Sequence, residues 1–268
     1  MLARMQLTSA WSMRSLWAVA LLLLAAAPPA IADDYRAEAR AWAALARNDG
    51  PDGKSYGLRG AYYFGDVSTD GVPLGEAAFL GRESRMSLQA SRAGAGGDYH
   101  GYQYLDTEIY IPSSVPLYVA LYVAAGIARF ETFDYDPNTF EPRRGHDTGW
   151  DAAVGITPLD GLRIATRFFE DAGYDPNLDA RYVGAVGNGR WFGVGVNLYK
   201  PDNYKLTWGV AADYFPDRTL RLGVMYEDAT DTTWLVAEKF FASRASVMFA
   251  YVDSLYGDGF RAEAAWRF

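Results

Sequence analysis

From residue 35 onward the chain is dominated by a two-residue alternation of apolar and polar positions. A period of two sends successive side chains to opposite faces of a β-strand. The pattern is plain at 190–199, where Phe192, Val194, Val196 and Leu198 alternate with glycines and Asn197. At 218–227, Leu220, Leu222, Val224 and Tyr226 oppose Arg221 and Glu227, and at 204–215, Leu206, Trp208, Val210 and Tyr214 oppose Lys205, Thr207 and Asp213. At the end of the chain Phe260, Ala262, Ala264, Trp266 and Phe268 form one face, and Arg261, Glu263, Ala265 and Arg267 the other. The same reading predicts strands over 54–65, 85–93, 101–111, 117–130, 147–157, 161–170, 178–186, 232–241 and 245–252. The phase of 232–241 stays open, because Glu238 and Lys239 fall on opposite faces.

Residues 35–47 (YRAEARAWAALAR) are the two-sided case. Alanine is the best helix former, yet Tyr35 and the alanines at 37, 39, 41 and 43 alternate with Arg36, Glu38 and Arg40. The alternation favours a strand and brings the count to fourteen; twelve and sixteen stay open. Strands of about ten residues suit a tilted membrane crossing and exceed the five or six usual in soluble sandwiches. The fold expected is all-β: a transmembrane antiparallel up-and-down barrel.

The N-terminus changes the setting. Residues 16–27 (LWAVALLLLAAA) follow Arg4 and Arg14 and precede Pro28, Pro29 and the small-residue run Ala30, Ile31, Ala32. This is the layout of a secretory signal, with cleavage expected after Ala32 and Met13 an alternative start. The domains expected are therefore a signal at 1–32 and a barrel at 33–268. No later stretch is apolar enough for a spanning helix, so a membrane-integral mature chain must be a closed barrel. There is no cysteine, which excludes a disulfide scaffold and thiolate metal sites. A formal charge of −8 argues against nucleic acid as a partner. The 19 Tyr, 14 Phe and 8 Trp suit a barrel with aromatic girdles at both interfaces.

Two segments carry resemblances. The ending DGFRAEAAWRF resembles the C-terminal signal of bacterial outer-membrane barrels, which implies recognition by the barrel-insertion machinery and a Gram-negative outer-membrane location. The block PLGEAAFLGRES at 73–84, after a strand rich in aromatics, is similar to the putative general bacterial porin family. That resemblance implies a water-filled channel passing small hydrophilic solutes by diffusion, with no cofactor and no catalysis, and it admits a homotrimer as well as a monomer. By residue chemistry alone, 66–84 reads as a long periplasmic connection with one helical turn.

With both termini on the periplasmic side, the connections at 112–116, 158–160, 187–189, 216–217 and 242–244 face the periplasm. They are tight and rich in Pro, Gly, Asn and Asp. The longer connections at 131–146 and 171–177 face outward, as does 254–257. Charges on the lipid face would cost roughly 2–4 kcal/mol each for Arg or Lys near the midplane, so the charged face should point inward. That face predicts a lumen lined by Arg59, Asp106, Glu108, Arg163, Arg167, Arg181, Lys205, Asp213, Arg221, Arg261 and Glu263. Arg36, Glu38, Arg40, Asp151, Asp179, Glu227 and Arg267 share its phase. A conducting pore and a lumen plugged by charge ladders both fit this lining, the pore being the favoured reading.

The third outer loop, 131–146, carries Glu131, Asp134, Asp136 and Glu141 as candidate constriction residues facing Arg163 and Arg167, if it folds inward as third loops of porins do. Two rival readings remain: a non-conducting structural or adhesion barrel, and a rim hydrolase built on His100 or His146. Neither histidine sits in a catalytic motif, and two distant histidines do not make a metal site without converging carboxylates.

Overall fold

The computed structural model describes residues 34–48, 52–95, 98–114, 116–129, 144–169, 177–200, 205–255 and 257–268. The expected signal at 1–32 lies outside them, as do Glu131, Asp134, Asp136 and Glu141.

Among the described residues fourteen strands form one closed barrel. The first seven are β1 (Tyr35–Asn48), β2 (Gly53–Val67), β3 (Arg85–Ala95), β4 (Asp98–Ile111), β5 (Leu117–Arg129), β6 (Arg144–Leu159) and β7 (Leu162–Phe169). The rest are β8 (Asn177–Gly187), β9 (Arg190–Tyr199), β10 (Thr207–Asp217), β11 (Leu220–Glu227), β12 (Thr232–Phe241), β13 (Ala245–Ser254) and β14 (Gly257–Arg267). Each pairs antiparallel with its sequence neighbours, and β1 closes the barrel on β14 from Glu38↔Arg267 to Asn48↔Gly257. The alanine-rich segment is thus a strand. Both its edges are satisfied by β2 and β14, and an unpaired edge on either partner would leave backbone groups unmet. The 131–146 connection is shorter than its sequence suggested, because β6 begins at Arg144.

The exterior is apolar. Leu58 is 64% exposed and Leu88 61%, with Val119, Val154, Val194, Val210, Leu222 and Leu235 also outward. Large aromatics gather at two levels. Near the end holding both termini are Tyr62, Phe64, Tyr214, Phe241 and Phe268; near the far end are Tyr56, Trp150, Trp208 and Phe260. An apolar band between two aromatic girdles is the surface of a barrel solvated by lipid.

Among the described residues one longer connection lies at the terminal end. Between β2 and β3 the chain makes a 3-10 turn, Leu74–Glu76, and a one-turn helix, α1 (Ala77–Leu80). This connection packs into the barrel mouth. Ala77 joins a cluster with Tyr35, Ala61, Tyr63 and Val67, with Val72 and Ala78 packed against it.

The phase of β1 holds two surprises. A register shift between Tyr35 and Ala37 turns Tyr35 inward, edge-on to Tyr63 at 5.4 Å, and Arg36 outward. Arg36 pairs with Asp66 on the exposed side and does not line the lumen, contrary to the alternation. The register steps two residues on β1 against five on β2, and such an odd mismatch flips the faces because the side-chain period is two. Further along, Trp42 points inward and is accommodated by Gly57 on β2, where any Cβ would stand 2.1 Å from the indole.

Candidate functional site

The inward face differs between its two halves. Toward the terminal end it is dense: Glu38, Asp213, Phe215, Glu238, Phe240, Glu263 and Arg267 are all buried, Arg267 and Glu238 each to 2% exposure. Toward the far end it opens, since Met225, in lumen phase on β11, is 42% exposed and Asn197 is also exposed.

The dense half is organised by ion pairs. Arg181 on β8 contacts Asp213 on β10 (2.7 Å), and Asp213 accepts from Arg221 on β11 (2.8 Å). Arg221 reaches Glu238 on β12 at 3.8 Å, and Glu238 lies 4.0 Å from Arg40 on β1. Arg40 pairs with Glu263 (2.8 Å) and with Glu38, which in turn accepts from Arg267 on β14 (2.7 Å). Arg261 donates to the second oxygen of Glu263 at 2.6 Å and lies over the Trp42 ring at 5.0 Å. Successive pairs put opposite charges side by side where burial would otherwise make each costly.

Both ends of this chain of charges stop on the β2–β3 connection. At one end Arg181 pairs with Glu76. At the other, Arg267 donates to the Leu74 carbonyl at 2.9 Å and lies over the rings of Tyr35 (4.5 Å) and Phe240 (4.8 Å). The Leu74 N–H donates to the Arg218 carbonyl (2.8 Å), and the Arg218 guanidinium donates to the Thr69 carbonyl (2.6 Å). Past α1, Phe79 sits beneath the Arg163 guanidinium at 5.7 Å, and Arg82 pairs with Asp160 at 3.1 Å in the β6–β7 turn. In that same turn Gly161 has φ of +74° and Leu80 lies 3.5 Å from the place of its absent Cβ. The connection thus touches the wall at β7, β8, β14 and two turns. It is a stopper standing inside the terminal mouth.

A second group of pairs covers the remaining wall. Arg59 donates to Asp106 (2.9 Å) and Ser87 (3.1 Å), and Arg85 donates to Glu108 (2.8 Å). Glu108 lies 3.9 Å from Arg163, which also donates to Asp179 (2.9 Å) and stacks on Tyr118 at 4.6 Å. Arg167 donates to Asp151 at 2.9 Å.

Of the lumen candidates, Arg59, Asp106, Glu108, Arg163, Arg167, Arg181, Asp213, Arg221, Arg261 and Glu263 all stand in this network. Lys205 does not: β10 begins at Thr207, and Lys205 is exposed just before it. Sequence phase missed Glu76 and Arg218, which lie in connections where no period applies. It left Glu238 undecided; Glu238 faces inward and accepts from Ser246 at 2.9 Å, while Lys239 is exposed. His100 faces the lumen on β4, and His146 lies in β6 with its side chain outside the description. No group of three or more His, Asp or Glu that could hold a metal occurs among the described residues.

These features define a closed antiparallel β-barrel with an apolar exterior and a charged interior, and a solved outer-membrane protein shares that fold. The Acinetobacter baumannii outer membrane protein Omp33 aligns with a TM-score of 0.72 at 17% identity, over 88% of this chain and 99% of that one. A KdgM porin aligns at 0.40 and 9% identity, covering 85% and 99%. OmpF of Salmonella typhi, in complex with daunomycin, aligns at 0.37 and 8%, covering 87% and 97%. At such identities the likeness is one of fold, and the two lower scores carry no argument. No family model matches the chain and no curated protein matches it. The likeness of the 73–84 block to the putative general bacterial porin family therefore rests on the block alone.

Proposed function

We propose that the protein is an outer-membrane porin, exported by a cleaved signal, through which small hydrophilic solutes diffuse, and that the β2–β3 connection restricts passage. In this reading the terminal end faces the periplasm, and the insertion machinery reads β14. The observation that carries the proposal is the inward face itself. It is charged along its length and solvent-exposed in the far half, as a lumen holding water requires. Beside the apolar cluster around Ala77, the stopper is held to the wall by polar contacts of Glu76, Leu74 and Thr69, which can exchange for water.

The second reading is a non-conducting barrel, and the continuous ion-pair chain in the terminal half favours it. Single-channel recording in planar bilayers separates the two. A porin gives discrete conductance steps that grow when Glu76→Gln and Arg267→Gln are combined. A flat record from both the native protein and the double variant overturns the channel and leaves the closed barrel.

A further inference from the structure

One sector of the open half departs from the charged lining. From the Arg221–Glu238 pair toward the far end, the next inward positions of β11, β12 and β13 are apolar or glycine. Met225 is in register with Trp234, and Trp234 with Val252. One inward step nearer the terminal end, Gly223 is in register with Val236, and Val236 with Ala250. Register partners are the nearest neighbours on a shared face, so these side chains form one continuous surface two rows deep. Met225 is exposed, and Trp234, Val236 and Val252 are half-buried, so the surface meets the lumen. Apolar area held against water is unfavourable until something apolar covers it, and the passage of ions makes no use of it.

Arg261 of β14 borders this surface. Its register partners are both alanines, Ala250 on β13 and Ala44 on β1, and its side chain is 32% exposed. The guanidinium is fixed from the terminal side: Nη2 donates to Glu263 at 2.6 Å, and the group lies over the Trp42 ring at 5.0 Å. Glu263 gives its other oxygen to Arg40 at 2.8 Å and is itself buried. Both carboxylate oxygens are thus taken, and the guanidinium is the charge that faces the lumen here. Among the described residues its hydrogen bond is the one to Glu263, and the buried Nε–H has no partner. The planar fork has donors left over.

We propose that this sector binds small monocarboxylates with an aromatic body, a reading that rests on the lumen admitting solutes and names the class it favours. The carboxylate accepts from the remaining donors of Arg261, a charge-assisted pairing for which a guanidinium is suited. The ring lies on Val236 and Val252, which flank the short Ala250, with Trp234 and Met225 beyond as aromatic and thioether partners. Adjacent strands lie about 4.8 Å apart, so a head on β14 and a ring over β13 and β12 fall within one small molecule. A neutral or cationic head loses the pairing with Arg261. A small anion without a ring leaves the apolar rows uncovered.

The test uses the full-length protein in lipid nanodiscs, with empty discs as the blank. Phenylacetate is the probe, and phenylacetamide, phenethylamine and acetate are the controls. Saturable phenylacetate binding by calorimetry supports the proposal when it is at least about tenfold tighter than each control and Arg261→Gln removes about that factor. Val236→Thr, close in shape but polar, should weaken phenylacetate about threefold. Heat-modifiable gel migration checks that both variants are folded; should Arg261→Gln fail, Arg261→Lys keeps the charge, loses the fork and should still weaken binding. No saturable phenylacetate binding, equal affinity for a control, or binding unchanged by either substitution overturns the proposal. Calorimetry does not depend on conduction. Conduction without phenylacetate binding therefore sinks the carboxylate site alone, and phenylacetate binding with a flat conductance record sinks the channel alone.

Discussion

The guanidinium of Arg267 donates at once to the carboxylate of Glu38, at 2.7 Å, and to the backbone carbonyl of Leu74, at 2.9 Å. One side chain on the closing strand thus ties the β1–β14 seam to the stopper. Arg267→Gln should loosen the stopper and raise channel conductance. It also leaves Glu38 buried with Arg40 as its remaining cation, so the stability cost should fall at or below the roughly 3–5 kcal/mol of a fully broken buried pair. Bilayer recording and denaturant unfolding in detergent read the two effects separately.

At the other end of the chain of charges, Glu76 and Arg181 should behave as a coupled pair. Glu76→Gln, Arg181→Gln and the double variant should give a coupling energy of about 0.5–3 kcal/mol in a double-mutant cycle, as residues in one network do. Additive costs would show that Glu76 does not anchor the connection.

Adjacent residues on β11 test the two faces. Val224 points to lipid and Met225 to the open half of the lumen. Val224→Arg should destabilise the barrel by roughly 2–4 kcal/mol if its level is near the midplane. Met225→Arg should cost under about 1 kcal/mol, because the guanidinium enters water. Equal costs in reversible unfolding from lipid vesicles would contradict the assignment of faces.

The Trp42–Gly57 contact makes a reciprocal prediction. Gly57→Val places atoms where the indole lies, and overpacking of this kind costs about 1–3 kcal/mol. Trp42→Ala in the same chain should recover most of that loss, measured as the shift in unfolding midpoint. Failure to recover would mean that Gly57 is needed for its backbone and not for the ring.

Much of the wall was legible before any coordinates. In β9, β11 and β14 one face must meet lipid and the other water, so the alternation is strict and the orientations of Arg221, Arg261 and Glu263 follow from it. The rule failed at the strand ends. Arg36 faces outward because the register shifts by an odd number of residues at Tyr35, and Lys205 lies before β10 starts. Neither a bulge nor a strand boundary leaves a mark in the alternation. In β12 the terminal residues are charged on both faces, and only pairing with Arg221 and Ser246 decides that Glu238 is the inner one.

The chain's own pattern determined the class of protein: closed, antiparallel, apolar outside and charged within. That follows because a barrel in lipid imposes a two-residue rule on every strand, and the rule is local. What only the tertiary structure decided is non-local. The 74–80 segment has no period that tells a connection lying outside the mouth from one folded into it. Its seat is made by Arg163, Arg181, Arg218 and Arg267, contributed by strands and turns far apart in sequence. Only barrel closure brings those residues to one end and gives the segment partners.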